Sequence, residues 1–201
     1  MIIVIKARAF VQLFHSCEKD FLFRYTMIII MKLGSEEIEL IPKLIKPYFK
    51  ITHEIKDRDN SVVEGILTCC NANDFEIYVV GKIKHGLFSK MFLYPEENDT
   101  VLEVRCKKCG KIISVFNSSF DGYGKCGTKE KNTHVSIRTV DCLKCQNESF
   151  SVIAKYEYPD IQELKELEIS NMDNAFTWIW ITLECNKCGT KYKNFVNCET
   201  T

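Results

Sequence analysis

The stretch Leu102-Glu-Val-Arg-Cys-Lys-Lys-Cys-Gly-Lys-Ile-Ile-Ser-Val-Phe116 places two cysteines, separated by two residues, between two runs of strand-forming residues. Two intervening residues let a tight turn direct both sulfurs at one metal ion about 2.3 Å away, while turn amides donate hydrogen bonds to the thiolates. Gly110 follows the second cysteine, where the exit from such a turn commonly requires a positive φ. The stretch therefore predicts a β-hairpin with metal ligands at its tip.

The same spacing occurs twice more, at Cys142/Cys145 and at Cys185/Cys188, again between strand-like runs. A hairpin with a Cys-x-x-Cys tip resembles the zinc ribbon, and the pattern extends over residues 65 to 198. The resemblance implies a mostly β fold with structural zinc, but no substrate, because one such scaffold serves many functions. We therefore expect one or two zinc ions (Zn2+) per chain, with iron as the realistic substitute.

Comparison of the chain with itself indicates an internal repeat. Placing Cys70 on Cys145 also places Phe75 on Phe150, and the hairpin that begins at Cys106 superimposes in the same way on the later one. The predicted fold is therefore mostly β (α+β), with two tandem zinc-ribbon-like units behind a short helical N-terminal region. The predicted boundaries are 1–30 for an N-terminal extension, 31–59 for the helical region, 60–125 for the first unit and 126–201 for the second.

The repeat assigns four thiolates to a C-terminal site, which are Cys142, Cys145, Cys185 and Cys188. The N-terminal site has Cys106 and Cys109 on one side. Its other side offers adjacent Cys69 and Cys70, because Leu67 occupies the position of the first cysteine. Adjacent residues of an extended chain point in opposite directions, so both can bind one ion only through a local turn or bulge.

Spacing leaves alternatives to these ligand sets. Cys126 or His85 is an alternative fourth ligand of the N-terminal site. A rival pairing joins Cys106/Cys109 to Cys142/Cys145 and leaves Cys185/Cys188 for Cys69/Cys70. Cys-x-x-Cys is also a redox motif, but none of the three pairs opens a helix after a strand.

Eleven cysteines fit either exported disulfides or metal thiolates in a reducing compartment. The first residues lack the pattern of a secretory signal, and Glu18, Lys19, Asp20 and Arg24 interrupt the one candidate membrane span. We therefore expect a cytoplasmic protein. The thirty residues before Met31 have no cysteine pair, so we predict either an untranslated extension with the start at Met31 or a strand and helix that pack on the rest.

From Ser35 to Phe49 the sequence predicts one short helix, with Ser35 as N-cap and with Ile38, Ile41 and Ile45 on one face. Pro42 and Pro47 are expected to bend or end it.

The sequence gives little support to catalysis and indicates no small-molecule substrate, since the four histidines are scattered and no phosphate-binding glycine loop is present. We expect a non-enzymatic module that binds a protein partner. The alternative is nucleic-acid binding by the basic segment 105–138, because Phe116, Phe120 and Tyr123 can stack on bases. Against this, nearby lysines also offset the charge of metal-bound thiolates, and 27 basic residues balance 27 acidic ones overall. The residues of this alternative site are Lys107, Lys108, Lys111, Lys125 and Arg138.

Overall fold

The computed structural model describes residues 40–56, 60–86, 90–94, 100–122 and 137–200. All of them fall within one compact unit, Glu39–Thr201. Strands dominate this part of the chain, so the prediction of a mostly β protein is confirmed. In chain order the strands are β1 (Phe49–Lys56), β2 (Asn60–Leu67), β3 (Phe75–Val80), β4 (Lys82–Gly86), β5 (Lys90–Tyr94), β6 (Val101–Cys106), β7 (Ile112–Asn117), β8 (Arg138–Thr139), β9 (Phe150–Pro159), β10 (Trp178–Cys185) and β11 (Lys191–Glu199).

Nine of these strands form one antiparallel sheet that curls into a half-barrel. Its main path is β1-β2-β9-β3-β6-β7, β10 joins β9 to β11, and β8 pairs with β3. The hairpin of β4 and β5 is separate. The two predicted units therefore do not stand in tandem, because β9 lies between β2 and β3. A lone hairpin buries too little apolar surface to be stable, whereas the shared sheet covers strands of both halves. The four predicted domain boundaries stay predictions.

The internal repeat is visible in the strand registers, because equivalent residues of the two copies have equivalent partners. Phe75 on β3 is opposite Cys106 on β6, and Phe150 on β9 is opposite Cys185 on β10. The two copies meet where β3 pairs with β9, with Phe75 opposite Phe150. The repeat thus places the end of β6 and the end of β10 on either side of one central strand pair.

The predicted helical N-terminal region is wrong for the residues that the structure describes. Within residues 40–48 the only helical element is a single 3-10 turn, at Lys46–Tyr48, and β1 follows at once. Pro42 and Pro47 have no amide hydrogen to donate to the hydrogen-bond ladder of an α-helix, and Pro47 lies inside the single 3-10 turn. Ile41 and Ile45 are nevertheless buried, so the apolar spacing indicated burial without a helix. The predictions for residues 1–39, including the start at Met31, lie outside the described residues.

The core beneath the sheet is aromatic. The ring of Tyr156 packs edge-on against Phe176 at 5.1 Å and against Phe49 at 6.0 Å between centroids. Gly65 makes room for this packing, since a Cβ atom there would lie 2.5 Å from the carbonyl oxygen of Lys50 and 2.6 Å from the Phe49 ring. Close approach of β1 to β2 therefore requires glycine at this position.

In the described residues the one α-helix is α1 (Ile161–Glu166), within the segment Pro159 to Ile169 that has helical spacing. The Asp160 side chain caps it by accepting a hydrogen bond from the amide of Gln162. No helix in this part of the chain is long and apolar enough to cross a membrane.

Candidate metal centres

Eight cysteines gather into two clusters of four. In each cluster the four Sγ atoms all lie within 4.8 Å of one another, so each can hold one metal ion. We call Cys69, Cys70, Cys106 and Cys109 the N-terminal cluster, and Cys142, Cys145, Cys185 and Cys188 the C-terminal cluster. The structure therefore brings together the sets that the internal repeat assigned, and it does not form the rival pairing.

The C-terminal cluster forms where β10 turns into β11. The amide of Cys185 donates to Thr190 O at 2.9 Å, and the amide of Gly189 donates to Cys185 O at 2.9 Å. Gly189 has a φ of 69°, a conformation that suits glycine. This turn directs its two sulfurs at the loop before β9. The sulfurs of Cys142 and Cys188 are 3.6 Å apart, and those of Cys145 and Cys185 are 3.5 Å apart.

Three side chains surround the sulfurs of the C-terminal cluster. The Tyr192 hydroxyl lies 3.2 Å from Cys142 Sγ, and it accepts a hydrogen bond of 2.8 Å from the amide of Leu143. Asn147 donates its side-chain amide to Cys185 Sγ at 3.6 Å, and the Thr190 hydroxyl lies 3.1 Å from Cys188 Sγ. Such neighbours orient metal ligands and tune their basicity.

The N-terminal cluster repeats one of these turns at the end of β6. The amide of Cys106 donates to Lys111 O at 2.9 Å, and the amide of Gly110 donates to Cys106 O at 2.8 Å. Gly110 has a φ of 75°. The hairpin predicted for residues 102–116 is thus formed with its two cysteines at the tip.

The other side of the N-terminal cluster is a shortened turn. Cys69 and Ala72 exchange two backbone hydrogen bonds, of 2.8 and 3.0 Å. Cys70 and Asn71 both have a positive φ, 54° and 58°, so the chain reverses directly after Cys69. The Sγ atoms of Cys69 and Cys70 come to 3.8 Å, and Cys69 lies 3.6 Å from Cys109 Sγ. Adjacent cysteines therefore converge through the local turn that the sequence required.

No family model, curated protein or solved structure matches the chain. The two cysteine clusters are therefore the basis for a proposed function.

Among the described residues, the alternative ligand His85 belongs to neither cluster. Leu67 is fully buried at the end of β2, and His85 lies on β4, opposite Met91 on β5. Cys126 and Lys125 lie outside the described residues. Cys198 is buried on β11 and donates its thiol to the carbonyl oxygen of Glu199.

Each cluster contains at least one cysteine whose pKa lies below its ordinary value. Hydrogen bonds from the Thr190 hydroxyl and backbone lower the pKa of Cys188 to about 6. A hydrogen bond from the backbone of Lys111, with others from Cys70 and Cys69, lowers the pKa of Cys109 to about 7. Burial instead raises the pKa of Cys69 to about 12. A metal that binds all four thiolates must displace protons from such cysteines, so its binding weakens as pH falls.

The basic residues near the N-terminal cluster make local contacts. Lys108 donates its ammonium group to the carbonyl oxygen of Cys70 at 3.0 Å, and the Lys111 ammonium lies 4.9 Å from the centre of the Tyr48 ring. Arg105 donates Nε to Glu76 at 2.8 Å. The backbone amide of Lys107 donates to Asp74 O, and Arg138 is exposed on β8. Lys108 and Lys111 therefore lie near the N-terminal cluster, whereas Arg105 is paired with Glu76.

A polar bridge between the two clusters has no counterpart in the sequence analysis. Ser149 donates its hydroxyl to the Asp74 carboxylate, and Asn186 donates to Ser149 Oγ at 2.9 Å. The Ser151 hydroxyl in turn donates to Asn186 Oδ1 at 2.7 Å. These residues come from three segments that are far apart in the sequence, so no local pattern could have found them. The Tyr192 hydroxyl was missed for the same reason, since its alternation on β11 indicated only a buried ring.

Proposed function

We propose that this chain is a non-enzymatic zinc protein in which each cluster holds one structural Zn2+, and that the sheet so braced contacts a protein partner. The observation that carries the proposal is the convergence of four sulfurs in each of two clusters. Thiolates are soft ligands that favour zinc, with iron as the substitute.

The sulfur separations support a tetrahedral ion. A tetrahedron with metal–sulfur bonds of about 2.3 Å has edges of about 3.8 Å. The sulfur pairs Cys145–Cys185, Cys142–Cys188, Cys69–Cys109 and Cys69–Cys70 are 3.5, 3.6, 3.6 and 3.8 Å apart. These distances are too long for disulfides, and all nine cysteines in the described residues are free.

A structural role is supported by the donor count. Four thiolates close the coordination of zinc, whereas catalytic zinc normally keeps one position open. Neither His53 nor His85, the histidines of the described residues, belongs to a cluster. Both clusters lie at the turns that end β6 and β10, where a bound ion joins each turn to a second loop. Structural zinc sites contribute on the order of 10 kcal/mol to folding.

X-ray absorption at the zinc edge tests this proposal on protein purified without chelator. We expect four sulfur neighbours per zinc at about 2.3 Å. Nitrogen or oxygen in the first coordination shell, or iron as the bound metal, would contradict a zinc tetrathiolate.

The protein partner is supported by the solvent-facing side of β10. Trp178 and Trp180 are half-buried there, and their rings stack with centroids 5.5 Å apart and planes at 11°. Tryptophan is enriched at the centres of protein interfaces. We expect the variant Trp178→Ser/Trp180→Ser to lose proteins that the wild-type chain captures from a cell extract. The control is Thr182→Ser on the same face, and unchanged capture by the double variant would contradict this part of the proposal.

The nucleic-acid alternative is tested by its salt dependence. Phosphate contacts weaken by orders of magnitude between about 50 and 200 mM salt. We expect no such binding of a labelled single-stranded RNA, and no difference between wild type and Lys107→Ala/Lys108→Ala/Lys111→Ala. Steeply salt-dependent binding that the triple variant loses would establish the alternative instead.

A further inference from the structure

The two clusters differ in how exposed their cysteine residues are. Cys70 and Cys109 are exposed, whereas their counterparts in the C-terminal cluster, Cys145 and Cys188, are only partly so. In both clusters the cysteines that end β6 and β10 are buried. An incoming ligand therefore meets two exposed cysteines at the N-terminal cluster and none at the C-terminal cluster.

The side chains around the sulfurs differ as well. The internal repeat places Ile113 where the C-terminal cluster has Tyr192, and Ala72 where it has Asn147. Lys111 takes the place of Thr190. In the part of the chain that the structure describes, no side-chain hydroxyl or amide is hydrogen-bonded to a sulfur of the N-terminal cluster. Its thiolates thus lack the side-chain donors that support the other set.

The backbone of the shortened turn adds a third difference. Cys70 has a φ of 54°, a left-handed conformation that disfavours a residue with a Cβ atom, while its counterpart Cys145 has no positive φ. The residue after each of them, Asn71 and Gln146, is left-handed in both copies. Among the eight cysteines of the two clusters, Cys70 is therefore the one with a strained backbone conformation.

We propose that the N-terminal cluster is an exchangeable metal site that passes its ion to thiol ligands, while the C-terminal cluster retains its ion. This inference rests on the proposed zinc content. An incoming thiol displaces the exposed sulfur of Cys70 or Cys109 from the metal, and its proton passes to the departing cysteine. One metal–sulfur bond forms as one breaks, so no electron is transferred and no oxidant is needed.

The test mixes the zinc-loaded full chain with an excess of a small dithiol and follows zinc transfer with a chromophoric indicator. Brief alkylation at each time point, read by mass spectrometry, shows which cysteines have been freed. We expect two phases of one ion each, with the fast phase about tenfold or more faster. Cys70 and Cys109 should be alkylated in the fast phase, and Cys145 and Cys188 in the slow one. A single phase for both ions, or alkylation of Cys145 and Cys188 first, would overturn the inference.

A second variant tests the supporting donors. Tyr192→Phe/Thr190→Val removes both hydroxyls from the C-terminal cluster and should accelerate the slow phase about tenfold. Thr182→Val, on the outer face of β10, is the control and should leave both phases unchanged. An unchanged slow phase in the double variant would overturn the role of the donors. Protein that carries no zinc as purified would instead refute the proposed function, which separates the two failures.

Discussion

Phe75 and Phe150 face each other across β3 and β9, and both are fully buried. They are equivalent positions of the internal repeat, and each is also opposite a cluster cysteine, Cys106 or Cys185. The two cysteine clusters therefore flank one shared pair of rings. Removal of both ions should release the turns on either side of this pair, so the sheet is expected to lose its order as one unit.

Complete metal removal is the first prediction. A strong chelator at neutral pH should abolish the β-sheet signal in the far-ultraviolet circular dichroism spectrum and the cooperative melting transition, because the ions contribute on the order of 10 kcal/mol per site. Re-addition of zinc should restore both signals. A spectrum and a melting curve that do not change after verified metal loss would contradict a structural role.

Substitution of two buried cysteines on neighbouring strands, one inside a cluster and one outside, distinguishes loss of a metal ligand from loss of a buried thiol. Cys185→Ser should lower the zinc content by one ion per chain and cost several kcal/mol of stability, since a zinc ligand is lost. Cys198→Ser should keep both ions and change stability by about 1 kcal/mol. Metal content and urea unfolding of the two variants check this, and equal zinc loss in both would count against the assignment.

Two buried tyrosines on β9 form a matched pair. In the described residues the Tyr156 hydroxyl has no hydrogen-bond partner, whereas the Tyr158 hydroxyl donates to Asp173 O at 2.9 Å. We expect Tyr156→Phe to raise the free energy of unfolding by about 1 kcal/mol, because an unsatisfied buried hydroxyl is removed. Tyr158→Phe should lower it by about 1 kcal/mol. Urea unfolding of the zinc-loaded variants measures both, and a shift of the same sign would refute this account of the core.

The contact of β1 with β2 depends on Gly65. Gly65→Ala should lower the free energy of unfolding by about 1 to 3 kcal/mol, because the new methyl group meets a backbone carbonyl that cannot rotate away. Thermal melting of the zinc-loaded variant measures the loss. A Gly65→Ala variant that is as stable as the wild-type protein would show that β1 does not pack against β2 as described.

Ligand chemistry explains why the turns that contain Cys-x-x-Cys could be predicted from the sequence. In a hairpin that binds metal, the cysteine spacing, the glycine after the second cysteine and the flanking strands all lie in one short segment. The sequence of residues 102–116 was therefore enough to predict the hairpin. The adjacent Cys69 and Cys70 were predictable only as a requirement for a turn. The left-handed φ of Cys70 that meets this requirement depends on its surroundings.

Long-range pairing explains what was missed. The alternation in β9 indicates a strand, but it does not indicate that β9 lies between β2 and β3. The predicted helix before Phe49 failed because Pro42 and Pro47 outweighed the apolar spacing. The bridge from Asp74 to Ser149 joins residues that only the shared sheet brings together.

Native mass spectrometry with elemental analysis, on untagged protein purified without chelator, tests the central claim most directly. The two four-cysteine clusters predict a mass increase that corresponds to two zinc ions per chain. A chain without bound metal, or with its cluster cysteines oxidised to disulfides, would contradict the account.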